Sequence, residues 1–308
     1  MRTKLFITSS LLIFFLVNTS YGQSFVFRVL ASKGANQVKK GQTGETIPLK
    51  TGATLMSGDE LIAASGAYIG LMHKTGRTIE VRNPGVTKIT DLETKLASNQ
   101  SSVANKYAQF VMNKMSDDGG DLSSNYRRNM KATGAVERAT SSSSLNVLLP
   151  SSVDILNPEA IIRWEGADQV ENPSYVISIK NIFDEEIYSA ETTDTSLSIN
   201  FEDDQLANER LVILNVKVKD NAELKSGDYG IKRMSADDAA SINENLEALK
   251  SEITDDSPLN NLIFASFYEE NNLLLDAMTQ YEKALKASPE VEDFKTIYDD
   301  FLIKNGLL

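Results

Sequence analysis

Apolar and polar positions change rhythm several times along the chain, and each change marks an element. Leu5 to Val17 is dominated by apolar residues, with Arg2 and Lys4 before it and the small residues Ser20 and Gly22 after it. A basic start, an apolar middle and small residues at the −3 and −1 positions form the pattern of a cleaved signal peptide, so removal of residues 1–22 is expected. Thr8-Ser9-Ser10 interrupts the run, which falls short of the ~20 apolar residues a membrane-spanning helix requires. From there to Asp91 the period is two. Phe25, Phe27 and Val29 alternate, Gly34, Gly41 and Gly44 break the chain, and Tyr68–Met72 and Thr78–Val81 resume it, which predicts an all-β unit over 23–91. The period then lengthens. Leu92, Leu96, Val103, Tyr107, Phe110, Val111 and Met115 fall on one helical face, predicting an amphipathic helix over 92–115.

Between 116 and 144 the pattern lapses into Gly119-Gly120 and a serine run at 141–144, with Arg127, Arg128, Lys131 and Arg138 making the stretch basic. Too little apolar surface remains there to pack, so a solvated linker is expected. Residues 145–234 return to strands, with candidates at 160–164, 175–180, 186–190, 196–201 and 211–219; their even spacing suggests a β-sandwich. Trp164 follows Ile161-Ile162 and is expected in its core. The chain ends in helices over 235–308. Ser235 can cap one carrying Ile242, Leu246, Leu249 and Ile253, and Ser257-Pro258 opens the next, a good cap followed by a residue suited to the first turn.

Three stretches carry resemblances. The order Ile47-Pro48-Leu49, Gly52, Leu55, Ser57-Gly58-Asp59, Ala67–Leu71, Gly76 and Thr78–Val81 resembles the β-module of FecR-like cell-envelope proteins. Here the strand-joining turn reads Lys74-Thr75-Gly76 where that module carries Asp-Gly, and no membrane helix precedes it, so the resemblance implies an envelope location without transmembrane signalling. The 145–234 region is similar to immunoglobulin-like or fibronectin type III-like domains. Counted from Pro258, the residues Ala265, Tyr268, Ala277, Tyr281, Ala284 and Pro289 match the spacing of a tetratricopeptide repeat. Asn261 stands where that repeat has a large aromatic. In such a repeat the small residues let two antiparallel helices approach and the tyrosines fill the space between them. Asn260, Asn271 and Gln280 then face outward and are the candidate partner-binding positions. The fold class expected is thus multidomain, mostly β and then α, with the helical end a small bundle or minimal repeat array, either free of the sandwich or docked on it.

Composition narrows the function. The chain has 31 basic and 43 acidic residues and no cysteine; loss of Arg2 and Lys4 leaves 29 basic residues and a net charge of −14. That charge opposes nucleic acid and anionic lipid. Without cysteine there is no disulfide, thiolate metal site or lipid-bearing N-terminal Cys. His73 is the only histidine, and its place beside a turn suggests a solvent-facing residue, which leaves no base for a hydrolytic triad. Lys50-Thr51-Gly52 and Lys74-Thr75-Gly76 imitate a β-lactamase motif, but no Ser-x-x-Lys accompanies them. Asp117, Asp118 and Asp121 lack the alternating order of a calcium loop and read as linker. No catalytic residue, cofactor or metal is assigned. The sequence therefore suggests an exported, non-enzymatic binding or scaffold protein of a bacterial cell envelope, periplasmic or at the cell surface, with a protein or glycan partner. The alternative is a carboxylate-dependent hydrolase of envelope glycans, in which two distant acids flank a glycosidic bond.

Overall fold

The computed structural model describes residues 25–96, 103–116, 145–253 and 255–308. The expected signal peptide, nearly all of the expected linker with its four basic residues, and Asp117, Asp118 and Asp121 lie outside them. Antiparallel sheets fill the first part and the middle, and helices the end.

Eight short strands come first: β1 (Phe27–Lys33), β2 (Gln37–Lys39), β3 (Thr46–Pro48), β4 (Thr54–Leu55), β5 (Glu60–Ala63), β6 (Tyr68–His73), β7 (Thr78–Val81) and β8 (Gly85–Lys88). They pair antiparallel in two four-stranded sheets, β4-β1-β6-β7 and β3-β2-β5-β8. Asp59, 4% exposed, holds the connecting loops together. Its carboxylate accepts from the Gly41 and Met56 N–H groups at 3.0 and 3.1 Å and from Lys40 Nζ at 2.7 Å. Burial pushes its pKa up, but Lys40 and the two backbone donors outweigh that and hold it below the usual range. Gly41 passes so close to the Gly58 carbonyl that a Cβ there would lie 2.1 Å from its oxygen. The glycine-aspartate turn is thus a fixed polar knot.

The helix expected over 92–115 is found as two: α1 (Ile89–Thr94) and α2 (Val103–Ser116). The Lys95 N–H folds back to the Leu92 carbonyl at 3.2 Å, an i→i−3 bond that tightens a helix end. The two also serve different cores. Ile89 and Leu92 join the smaller one with Val29, Ile69 and Leu71, while Ala104, Tyr107, Ala108 and Val111 join the larger one with Leu30, Ala31, Tyr68 and Met72. The residues of β1 and β6 are therefore divided between the two cores, with an irregularity in β1 between Val29 and Ala31, and every residue of β6 is buried.

The middle carries β9 (Ser152–Ile155), β10 (Glu159–Arg163), β11 (Tyr175–Lys180), β12 (Glu186–Thr192), β13 (Ser196–Asn200), β14 (Leu211–Val218), β15 (Asn221–Lys225) and β16 (Tyr229–Arg233). One sheet runs β12-β11-β14-β16-β9 with β15 on β14, and β10 and β13 form a separate pair. All these pairings are antiparallel except β16 with β9. Trp164 is 1% exposed, as expected, and meets the edge of Tyr175 at 5.4 Å between ring centres.

Four helices follow: α3 (Ala236–Glu252), α4 (Pro258–Glu270), α5 (Leu274–Ala287) and α6 (Glu292–Lys304). The caps read from the sequence are present. Ser235 Oγ accepts from the Asp238 N–H at 3.2 Å and Ser257 Oγ from the Asn260 N–H at 3.3 Å. The helical end is docked on the middle: Trp164, Ile177, Leu259 and Phe301 share one buried cluster that also reaches β1 and β6.

Candidate functional site at the helical junction

The pair α4–α5 is packed from three sides, and each contact begins with a residue that the local fold aims outward from the pair. Leu259, in the first turn of α4, lies on Gly70 of β6, where a Cβ would come within 2.9 Å of Leu259 Cδ1. Glycine is needed there for the close approach. Around this contact the Glu80 carboxylate accepts from Tyr68 Oη at 2.9 Å, from the Leu259 N–H at 3.3 Å and from Arg82 at 3.0 Å. Arg82 also donates to Ser288 Oγ at 2.8 Å and covers the Tyr68 ring at 4.7 Å.

A second face of the pair meets β9 and β10. Asp276, 1% exposed, accepts from the Leu156 and Asn157 N–H groups at 3.0 and 2.9 Å and from Asn157 Nδ2 at 2.6 Å. Burial dominates its titration, and although those donors pull the other way its pKa is pushed up to about 6. One turn on, Thr279 Oγ1 accepts from the Ile161 N–H at 3.0 Å, and Glu282 grips Arg163 through Nε and, at 2.8 Å, through Nη2. Thus Asp276 satisfies the loop between β9 and β10, Thr279 a backbone donor of β10 and Glu282 the Arg163 side chain.

The third face meets α2. Tyr107 packs on Phe267 at 5.2 Å, and the Glu269 carboxylate, 5% exposed, accepts from Lys114 at 2.7 Å, Lys304 at 3.0 Å and Tyr281 Oη at 3.0 Å. Burial raises the pKa of Glu269, but Lys114 and Lys304 prevail and hold it low. Two clefts border the junction. One of about 320 Å³ is lined by Arg77, Thr78, Lys95, Leu96, Glu252, Ile253, Asp255 and Asn260. The other, about 240 Å³, is lined by Lys106, Phe110, Glu269, Glu270 and Lys304.

The positions named from the sequence fall out unevenly. Ala265, Tyr268, Ala277, Tyr281 and Ala284 are all buried, with Tyr281 against Phe301 at 5.0 Å, whereas Pro289 is exposed beyond α5. Asn260 does not face outward. It is 5% exposed, accepts from Thr78 Oγ1 at 2.6 Å and donates to Asp255, because β7 covers the first turn of α4. Asn271 and Gln280 are half-buried, and Asn271 Nδ2 closes the end of α4 on the Phe267 carbonyl at 2.8 Å. His73 is likewise not a solvent-facing residue. It is 7% exposed, with Nδ1 2.7 Å from Thr75 Oγ1, Nε2 3.5 Å from Glu93 and its ring against Phe27. Burial, with Lys74 beside it, outweighs Glu93 and depresses its pKa.

Sequence reasoning missed Asp276, Thr279, Glu282 and Glu269. The first three recur every third residue along α5, a spacing that also describes a solvated face, so nothing in the sequence separated the two. Chemically the junction is a set of locks, for each of these acids is already engaged by backbone N–H groups or by basic side chains. Among the described residues no group of three or more His, Asp or Glu is placed to hold a metal ion, and no helix is long and apolar enough to cross a membrane. Compared with family models and with curated proteins, the chain matches none.

Proposed function

We propose that the chain is an exported, non-enzymatic scaffold or binding protein of a bacterial cell envelope, periplasmic or at the cell surface, with a protein or glycan as its partner. In this reading residues 23–91 are a FecR-like module, the middle is an immunoglobulin-like or fibronectin type III-like sandwich, and α4–α5 is a tetratricopeptide-like pair used inside the molecule. The observation that carries it is the junction. The α4–α5 pair spends its faces on β6, on β9–β10 and on α2, bracing two β-units against each other. Of the surfaces where a repeat would hold a ligand, Asn260 is already covered and Asn271 and Gln280 remain half-accessible. A binding surface then lies on the braced β-units or on the rim formed by Asn271 and Gln280.

Two experiments test this. Osmotic-shock fractionation should release a soluble protein whose sequence starts at Gln23; an intact Met1 in the membrane pellet contradicts export. Purified protein incubated with peptidoglycan and envelope polysaccharides, with and without chelator, should give no products. Turnover that persists on further purification and scales with protein concentration would establish the hydrolase instead.

A further inference from the structure

Large hydrophobic side chains scattered singly over a surface are ordinary, whereas a cluster of them marks a place of contact. Among the described residues Val86, Ile182, Phe183 and Leu211 are exposed, at 65%, 59%, 76% and 37%. The last three gather at one end of the sheet β12-β11-β14-β16-β9. Lys180 of β11 pairs with Ile213 of β14; Ile182 and Phe183 form the turn just beyond the first, and Leu211 opens β14 two residues before the second. Val212 and Leu214 are core residues, so Leu211 and Ile213 lie on the outer face. Gly230, opposite Ile213, adds no side chain there to cover them.

The turn that carries Ile182 and Phe183 is fixed. Buried Asn181 accepts through Oδ1 from the Phe183 and Glu185 N–H groups at 2.9 and 3.1 Å, its own N–H donates to the Glu185 carbonyl at 3.0 Å, and Asp184 takes a left-handed φ of 67°. Two large apolar side chains are thus held in water in one geometry, and a preorganised contact loses little conformational freedom on binding.

The surroundings of the patch select what covers it. Asp154, Asp184, Glu185, Glu186 and Asp228 outnumber Lys180, Arg210 and Lys232 there. A second copy or an anionic lipid surface would bring like charge to this rim, which is unfavourable across an interface. A glycan needs free hydrogen-bonding groups, and most of those here are engaged with one another: Lys180 with Asp184 at 2.6 Å, Asn181 Nδ2 with Glu185 at 2.8 Å, Ser178 Oγ with Glu186, Asn215 Nδ2 with Asp228 at 3.4 Å and Lys232 with Asp154 at 3.8 Å. We propose that this end of the sheet, centred on Ile182, Phe183 and Leu211, is the docking surface for a protein partner that offers an apolar patch framed by lysine or arginine. The proposal rests on the reading of the chain as a binding protein and names where and what it binds.

Benzoylphenylalanine, a photocrosslinking residue, placed at position 183 of the full chain and illuminated in the cells that make it, should give one protein adduct. The crosslinked peptide should carry lysine or arginine beside apolar residues. The same residue at exposed Ser241 on α3 should not form this adduct, and Leu211→Asp should abolish it; Leu211 is exposed, so circular dichroism should show that variant folded. With the identified partner purified, Phe183→Ser should weaken the affinity about tenfold or more, and added salt should weaken the parent complex. An adduct to lipid, glycan or a second copy, an adduct that survives Leu211→Asp, or a complex insensitive to salt would each overturn the proposal. An adduct from position 280, at Gln280, with none from position 183 would overturn this surface and leave the binding reading standing, whereas no adduct from either position would overturn both.

Discussion

Removing Asp276 should destabilise the protein by an amount that grows as the pH falls. Its carboxylate is buried without a cation and satisfies the N–H groups of Leu156 and Asn157, so Asp276→Ala leaves two buried donors unpaired. Each such loss costs about 1–3 kcal/mol, which puts the variant roughly 2–6 kcal/mol below the parent at neutral pH, less whatever is recovered by no longer burying a charge. The pH term has a definite sign. The folded pKa, about 6, lies above the unfolded value of 3.8, so the native state takes up the proton more readily. The resulting stability is fully present below the unfolded pKa and is lost as pH rises through the folded one. Linkage therefore makes Asp276 more favourable at pH 5 than at pH 8, by on the order of 1 kcal/mol. Urea unfolding of parent and variant at both pH values isolates the term, since every other titrating group is common to the two. A penalty that is equal at pH 5 and pH 8, or larger at pH 8, would refute the reasoning.

Three further outcomes follow from the packing. Gly70→Val should push Leu259 and α4 away from β6 and cost ~1–3 kcal/mol, seen as a lower melting temperature; an unchanged melt would mean that this contact is not tight. Ala277, fully buried, should behave alike in Ala277→Leu, at ~1–3 kcal/mol, and an unshifted melting temperature there would mean that the helix-pair register is wrong. His73 has a depressed folded pKa, so its stabilising effect is present above the unfolded value of 6.5 and is lost as pH falls through the folded one. His73→Gln should therefore flatten the acid side of the stability profile measured by denaturant titration, and an identical profile would remove His73 as a cause.

The parts of the fold that were legible were those set by local chemistry. Ser235 and Ser257 cap where a serine before an apolar-periodic run should, and Tyr175–Lys180 is a strand with the expected bounds. Trp164 is core because strand-forming aliphatics precede it. What was not legible depended on contacts distant in sequence. Leu92 and Val111 continue one helical spacing yet pack into different cores, a choice made by the sheet between them. The run Tyr68–Met72 is apolar throughout, the signature of a strand buried on both faces, but the sequence alone does not say that α2 and α4 supply the second cover. Asn260 and His73 looked like surface residues because polarity is a surface signal; β7, α1 and the β6–β7 turn bury both and provide their hydrogen bonds. Strands β9, β15 and β16 were not among the strands read from the sequence.

The claim at the centre of this account is that the C-terminal helices brace the β-units into one cooperative body, and the chain contains its own reporter. Trp164 is the only tryptophan and is buried in the middle β-unit, so its fluorescence follows that unit, while ellipticity at the helix band is weighted toward α2–α6. Coincident denaturant transitions by these two probes are the mark of a single cooperative unit, and that is the predicted result. Loss of the helical signal in a transition well separated from that of Trp164, with the β-unit still folded, would contradict the account.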